Sequence, residues 1–259
     1  MFKGTYEGNI SEIAFVSKFN SNKKLFKTYL NNFDNNNLWL VRITTKQISK
    51  LNNKKVFTRS DCYLANINEN INEILMSNNY YLSEEILDSY KIKYDKIPYS
   101  GISIKMASST NYQIIKMTPN SFNYFFNSYE LGAGASLFCN NQDELIKNIE
   151  LISGWKTNIS YMCKYFYNFT QNNELFYLNK DICNSIKKHC ISIISNDIYN
   201  SIELQSKIFN GIDVYEEPYT AHYFYQESNI FPLSIIPFNV TTGSGRSKGN
   251  YSIVLKPKK

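Results

Sequence analysis

The chain has 259 residues, 43% of them hydrophobic and 15% aromatic against 19% charged, which excludes a disordered or fibrous protein and allows one large core or two small ones. No run approaches the roughly 20 apolar residues of a membrane span, Met1 to Gly8 lacks the apolar core of a secretory leader, and five scattered cysteines (Cys62, Cys139, Cys163, Cys183, Cys190) without a C-x-x-C pair exclude a disulfide framework or structural zinc site; a soluble protein of a reducing cytoplasm, without membrane association, is expected. The net charge of +6 is uneven: Ser228 to Lys259 holds five basic residues and no acid, whereas the preceding part is nearly neutral, a distribution suited to a polyanion.

Residues 9–33 carry apolar side chains at helical spacing (Ile10, Ile13, Ala14 and Phe19, then Leu25, Phe26, Tyr29, Leu30 and Phe33), so they predict one helix or two. Leu38 to Thr44 is short and β-branched, hence a strand. A second strand is predicted from Val56 to Leu64, interrupted by the polar Thr58-Arg59-Ser60-Asp61, and short helices over 69–77 and 83–90. Pro98 to Gly101 signals a turn. Ile102 to Met106 then alternates, with Ile102, Ile104 and Met106 on one face and Ser103 and Lys105 on the other, and Tyr112 to Met117 reads as its neighbouring strand. Helices are expected at 142–153, 155–169 and 181–196, and strands again at 221–226, 233–238 and 251–256. The order predicts an α/β (α+β) fold: a mixed central sheet flanked by helices, a helical middle region and a strand-rich C-terminus. The boundary expected between the core and the rest lies near residue 120, with 121–259 packed into one unit with the core.

Three segments carry candidate chemistry. Asp61 interrupts an apolar strand, Lys105 stands mid-strand on a polar face, and Glu12 falls in the first turn of the opening helix. Taken singly, each has an ordinary structural role: a strand-end Asp bonded to nearby backbone, an exposed strand lysine, a favourable charge at a helix N-terminus. Together they supply what phosphodiester cleavage needs, namely oxygen ligands for Mg2+ and an amine that orients or activates water.

In these residues the sequence resembles the PD-(D/E)XK nuclease superfamily, and within it the type II restriction endonucleases. Arg59-Ser60-Asp61 matches its first motif, Ser103-Ile104-Lys105 its second, and Glu12 the acidic residue that many members place on the first helix. The resemblance covers residues 8–117. It implies a restriction-endonuclease-like core, Asp61, Lys105 and Glu12 as catalytic residues, and Asp61 and Glu12 as ligands of Mg2+. It also implies double-stranded DNA as partner and, for a palindromic target, a homodimer. Ser60 departs from the usual proline. Ser103 departs from the acid expected two residues before the lysine, so Glu12, Glu84, Glu85 or Asp95 has to supply the missing carboxylate. The alternatives to a Mg2+-dependent endonuclease are a metal-independent base-excising glycosylase, using Tyr, His and Arg, and a DNA-binding defence protein without catalysis.

Outside that region, Arg246 and Lys248 sit in a Gly/Ser loop (residues 241–249) without Walker A spacing, and with Arg59 they are the expected DNA contacts. Leu131-Gly132-Ala133-Gly134-Ala135-Ser136 reads as a tight turn. His189 is expected on a surface and His222 packed in a strand. The aromatic clusters at 161–169 and 223–225 are read as core rather than as base-stacking platforms.

Overall fold

In the computed structural model the described residues are 3–34, 37–51, 53–104, 113–140, 145, 147–171, 179–226, 228–233, 235–242 and 251–258, with side chains from Asn9 onward. The chain opens with α1 (Lys3–Ser21), a 3-10 turn (Lys23–Phe26) and α2 (Lys27–Leu30). Next come β1 (Leu38–Arg42), β2 (Gln47–Ser49), β3 (Lys54–Val56), β4 (Cys62–Asn66), α3 (Asn72–Ser77), α4 (Glu84–Ser89), β5 (Asp95–Lys96), β6 (Ile102–Ile104) and β7 (Ile115–Met117). The helical stretch comprises α5 (Pro119–Phe126), α6 (Tyr129–Ser136), α7 (Asn148–Gly154), α8 (Ile159–Thr170), α9 (Lys180–Asn200) and α10 (Ile202–Gln205), followed by a π turn (Ser206–Asn210). The last strands are β8 (Tyr223–Gln226), β9 (Asn229–Pro232), β10 (Phe238–Thr242) and β11 (Ile253–Pro257). No helix among the described residues is long and apolar enough to cross a membrane.

These elements form two compact units, Met1–Thr110 with Phe209–Ile235, and Asn111–Ile208 with Ile236–Lys259. The boundary expected near residue 120 therefore misses one feature: the chain returns to the first unit at 209–235. The reason is a strand pairing distant in sequence. The first sheet runs β1-β4-β6-β8-β9, with β5 paired to β4. Strand β8 joins β6 in parallel, Ile102 opposite Tyr223 and Ile104 opposite Tyr225, while the other pairings are antiparallel, so the sheet is mixed. Helix α1 covers it with a stripe set by helical spacing: Phe15, Val16 and Phe19 are buried on Leu38, Leu40, Cys62, Leu64 and Ile102. Phe15 stacks on Tyr225 with centroids 3.7 Å apart, and Tyr29 donates from its hydroxyl to the Ser100 carbonyl at 2.5 Å. The buried Asn20 fastens helix to sheet. Its amide donates to the Leu40 and Tyr80 carbonyls (2.9 and 3.1 Å), and its oxygen accepts the Leu40 N–H at 2.9 Å. The rings at 223 and 225 thus pack in this core, as expected.

In the second unit a three-stranded sheet runs β10-β11-β7. Strand β7 pairs with β11 rather than with β6, so Tyr112 to Met117 does not yield a neighbour of the preceding strand. The strand expected at 233–238 is likewise displaced: β9 ends before it at Pro232, and among its described residues only Phe238 is in a strand, as the first residue of β10. The turn expected at Gly132 and Gly134 is helix α6, with residues 131–136 all buried. Its small residues act at helical rather than turn spacing. A Cβ at Gly134 would stand 2.6 Å from Cys190 Sγ and 2.8 Å from Phe166 Cζ, and one at Gly132 would strike the Trp155 ring. Gly134→Val is therefore expected to lower stability by about 2–3 kcal/mol through overpacking, despite better helix propensity; a urea unfolding curve measures the loss, and an unshifted midpoint would contradict the packing argument. In α8, Met162 and Phe166 are buried while Tyr161, Tyr165, Tyr167 and Phe169 are exposed, so this cluster is only partly core.

Candidate functional site

Asp61 lies in the turn that feeds β4, and local pairing settles its position. Its N–H donates to the Ile102 carbonyl at 2.8 Å, and its carbonyl accepts the Ile43 N–H at 3.0 Å, so its backbone is stitched to β6 on one side and to the end of β1 on the other. Its carboxylate Oδ2 accepts the Ile104 N–H at 2.6 Å and the Ser103 hydroxyl at 3.4 Å. Ser103, which departs from the acid of the resembled motif, thus donates to the acid of the other motif. It is 5% exposed.

Glu12 comes from the middle of α1 and not, as expected, from its first turn; it lies 49 positions before Asp61, yet both residues line one cavity of about 110 Å3. Asn9, Arg42, Thr44, Thr45, Thr58 and Ser60 contribute to the same walls. Burial and the negative charge of Asp61 raise the Glu12 pKa above the ordinary carboxylate value, in spite of the opposing effect of Arg42. Arg42 holds Glu12 directly, its Nε donating to Oε2 at 2.7 Å. Its Nη2 donates to Asn9 Oδ1 at 3.0 Å and its Nη1 to the Tyr81 hydroxyl at 3.4 Å.

Glu84, unlike the half-buried Glu12 and Asp61, is fully buried, and it supports the cavity from behind. Its Oε1 accepts the hydroxyls of Tyr63 (3.1 Å) and Tyr219 (2.9 Å), with Lys96 Nζ 3.8 Å away. Its Oε2 accepts the Thr45 hydroxyl at 2.6 Å and the backbone N–H groups of Thr44 and Thr45 at 3.3 Å. Both threonines line the cavity, so Glu84 orders its wall without being among the lining residues. Glu85 and Asp95 are exposed and are not among the lining residues either. Of the four acids expected to compensate for Ser103, Glu12 is the one brought beside Asp61.

The donor set suits a hard cation. Its candidate ligands are oxygens, two carboxylates and several hydroxyls, beside the Arg42 guanidinium and the apolar Ile43 and Phe57 of the same lining, and Mg2+ typically keeps most of its waters while taking one or two carboxylates. At roughly 30 Å3 per water, the cavity has room for about three or four such molecules. No group of three or more His, Cys, Asp and Glu capable of holding a metal gathers among the described residues, so two acids are the whole of this set.

Lys105, Arg246 and Lys248 lie outside the described residues. Arg59, expected to contact DNA, packs its Cγ against Gly211, whose φ is +80°, and its Nε is buried with no hydrogen-bond partner. Burial lowers its pKa. His222 is half-buried beside the sheet, its Nε2 2.7 Å from Glu217 Oε1 and 3.0 Å from Thr220 Oγ1. His189 stacks on Phe169 with centroids 4.0 Å apart. Arg42, Asn9 and the threonine wall carry no motif in the sequence. The single available signal was that Arg42 is one of three arginines and ends an otherwise apolar strand.

No protein-family model, curated protein or solved structure matches this chain.

Proposed function

We propose that the chain is a Mg2+-dependent endodeoxyribonuclease of the type II restriction kind, hydrolysing phosphodiester bonds of double-stranded DNA. The observation that carries this reading is the meeting of Glu12 and Asp61 in one cavity, with the Asp61 carboxylate fastened to Ser103 and to the Ile104 amide, directly before Lys105 in the chain. Ser103, on strand β6, is the residue whose hydroxyl donates to Asp61.

In this reading Asp61 and Glu12 would hold the cation. When bound, Mg2+ supplies charge neutralisation at the phosphoryl oxygens and lowers the pKa of its water. Lys105 would orient the attacking water or offset transition-state charge. Arg246 and Lys248, in the basic C-terminal segment, would contact the DNA, whereas Arg59, with its Nε buried, is set aside as a contact. A palindromic target would be met by a homodimer.

Plasmid DNA incubated with the wild-type chain is expected to yield discrete fragments in Mg2+ and none in EDTA, and Lys105→Ala is expected to yield none in either. Cutting by Lys105→Ala at the wild-type rate removes the assignment. Activity that survives EDTA points instead to metal-free base excision, and DNA retention without any strand breakage to a non-catalytic binding protein.

A further inference from the structure

We propose that Arg42 is the resident counter-cation of the Glu12–Asp61 cavity, displaced from Glu12 by the divalent ion and then free to bind a phosphate of the DNA. This deepens the reading above and rests on it.

The guanidinium has three acceptors: Glu12, Asn9 and the Tyr81 hydroxyl. Only Glu12 is charged, and Glu12 is also one of the two carboxylates available to a cation. Arg42 Nε donates to Oε2 of Glu12 at 2.7 Å, so a divalent ion drawing on the same carboxylate would weaken that charge-assisted bond, and the two cations compete for one negative charge. A single delocalised charge also leaves the repulsion between the two acids partly uncompensated, whereas a divalent ion would remove more of it.

Exchange does not require breaking the core. The Arg42 side chain is 17% exposed and that of Glu12 22%, and the other two contacts of Arg42 are to neutral groups, one of them long. Its backbone stays anchored meanwhile, the N–H donating to the Leu82 carbonyl at 3.0 Å. A released guanidinium beside a metal site presents a planar fork of N–H donors suited to two phosphate oxygens.

The test is a Mn2+ titration of the full chain without DNA, read by water-proton relaxation, for wild type, Arg42→Gln and Glu12→Gln. Loss of the competing cation is expected to tighten Mn2+ binding about tenfold or more in Arg42→Gln, and Glu12→Gln to weaken it. Equal or weaker binding by Arg42→Gln, with wild type binding and Glu12→Gln impaired, overturns the displacement while leaving the metal site standing. Wild type that binds no Mn2+, or binds it equally well after Glu12→Gln, overturns both. Should Arg42→Gln fail to fold, the wild-type chain still decides. It has three arginine Nε–H resonances in a 15N spectrum, and Mg2+ is expected to move that of Arg42. A spectrum unmoved at saturating Mg2+ overturns the proposal. In Ca2+, Arg42→Gln is expected to bind duplex DNA several-fold more weakly, and unchanged affinity removes the phosphate contact.

Discussion

Asp61→Asn is expected to reduce Mg2+-dependent cleavage by about 100- to 1,000-fold or more, the range seen when one preorganised charge-stabilising group is taken from an active site. The substitution is chosen for what it leaves in place. An asparagine oxygen is able to accept the Ile104 N–H and the Ser103 hydroxyl, and the backbone bonds of residue 61 to Ile102 and Ile43 do not involve the side chain. The strand entry therefore survives while the negative charge facing the cavity is lost. Asp61→Ala removes charge and acceptor together and adds a stability cost of about 1–3 kcal/mol for the buried donors it orphans. Plasmid cleavage and urea unfolding of the two variants separate the effects. A fully active Asp61→Asn would show that the cavity does not bind a catalytic cation through this residue.

Glu84→Ala should be the most destabilising single change in the first unit, at about 3–5 kcal/mol. The buried carboxylate is the shared acceptor of two tyrosine hydroxyls, one threonine hydroxyl and two backbone N–H groups, with Lys96 nearby. Alanine leaves those donors without an acceptor and opens a void among large rings. Glu84→Gln keeps the volume and one carbonyl oxygen, and its loss is expected to be clearly smaller. Urea unfolding followed by intrinsic fluorescence checks the order of the three proteins. Coincident midpoints for wild type and Glu84→Ala would show that this network contributes nothing to folding. Because Thr44 and Thr45 line the cavity, a folded Glu84→Ala should also bind the cation less tightly than wild type, although Glu84 is not itself a ligand in this reading.

Periodicity alone determined the kind and order of most elements. The stripe that includes Phe19 and Phe26 is local, and so is the helix–strands–helices–strands order behind the mixed α/β architecture, because a helix face or strand face is written within a dozen residues. The sequence also singled out Asp61, since a carboxylate in an apolar strand stands against its background, and Glu12, as the acid on the opening helix of the resembled family. Only tertiary structure decided the rest. That β8 pairs in parallel with β6, that β7 belongs to another sheet, and that Gly132 and Gly134 admit Trp155, Phe166 and Cys190 against a helix are relations between segments far apart in sequence. Neither composition nor spacing encodes them. The same holds for the site: Ser103 at the place of the resembled acid reads as a loss until its hydroxyl is seen donating to Asp61, and Arg42 and Glu84 have no motif because their roles come from hydrogen-bond partners 21 to 135 positions away. Local patterns record which face of a segment avoids water; charge pairing and strand order depend on which distant segment arrives there.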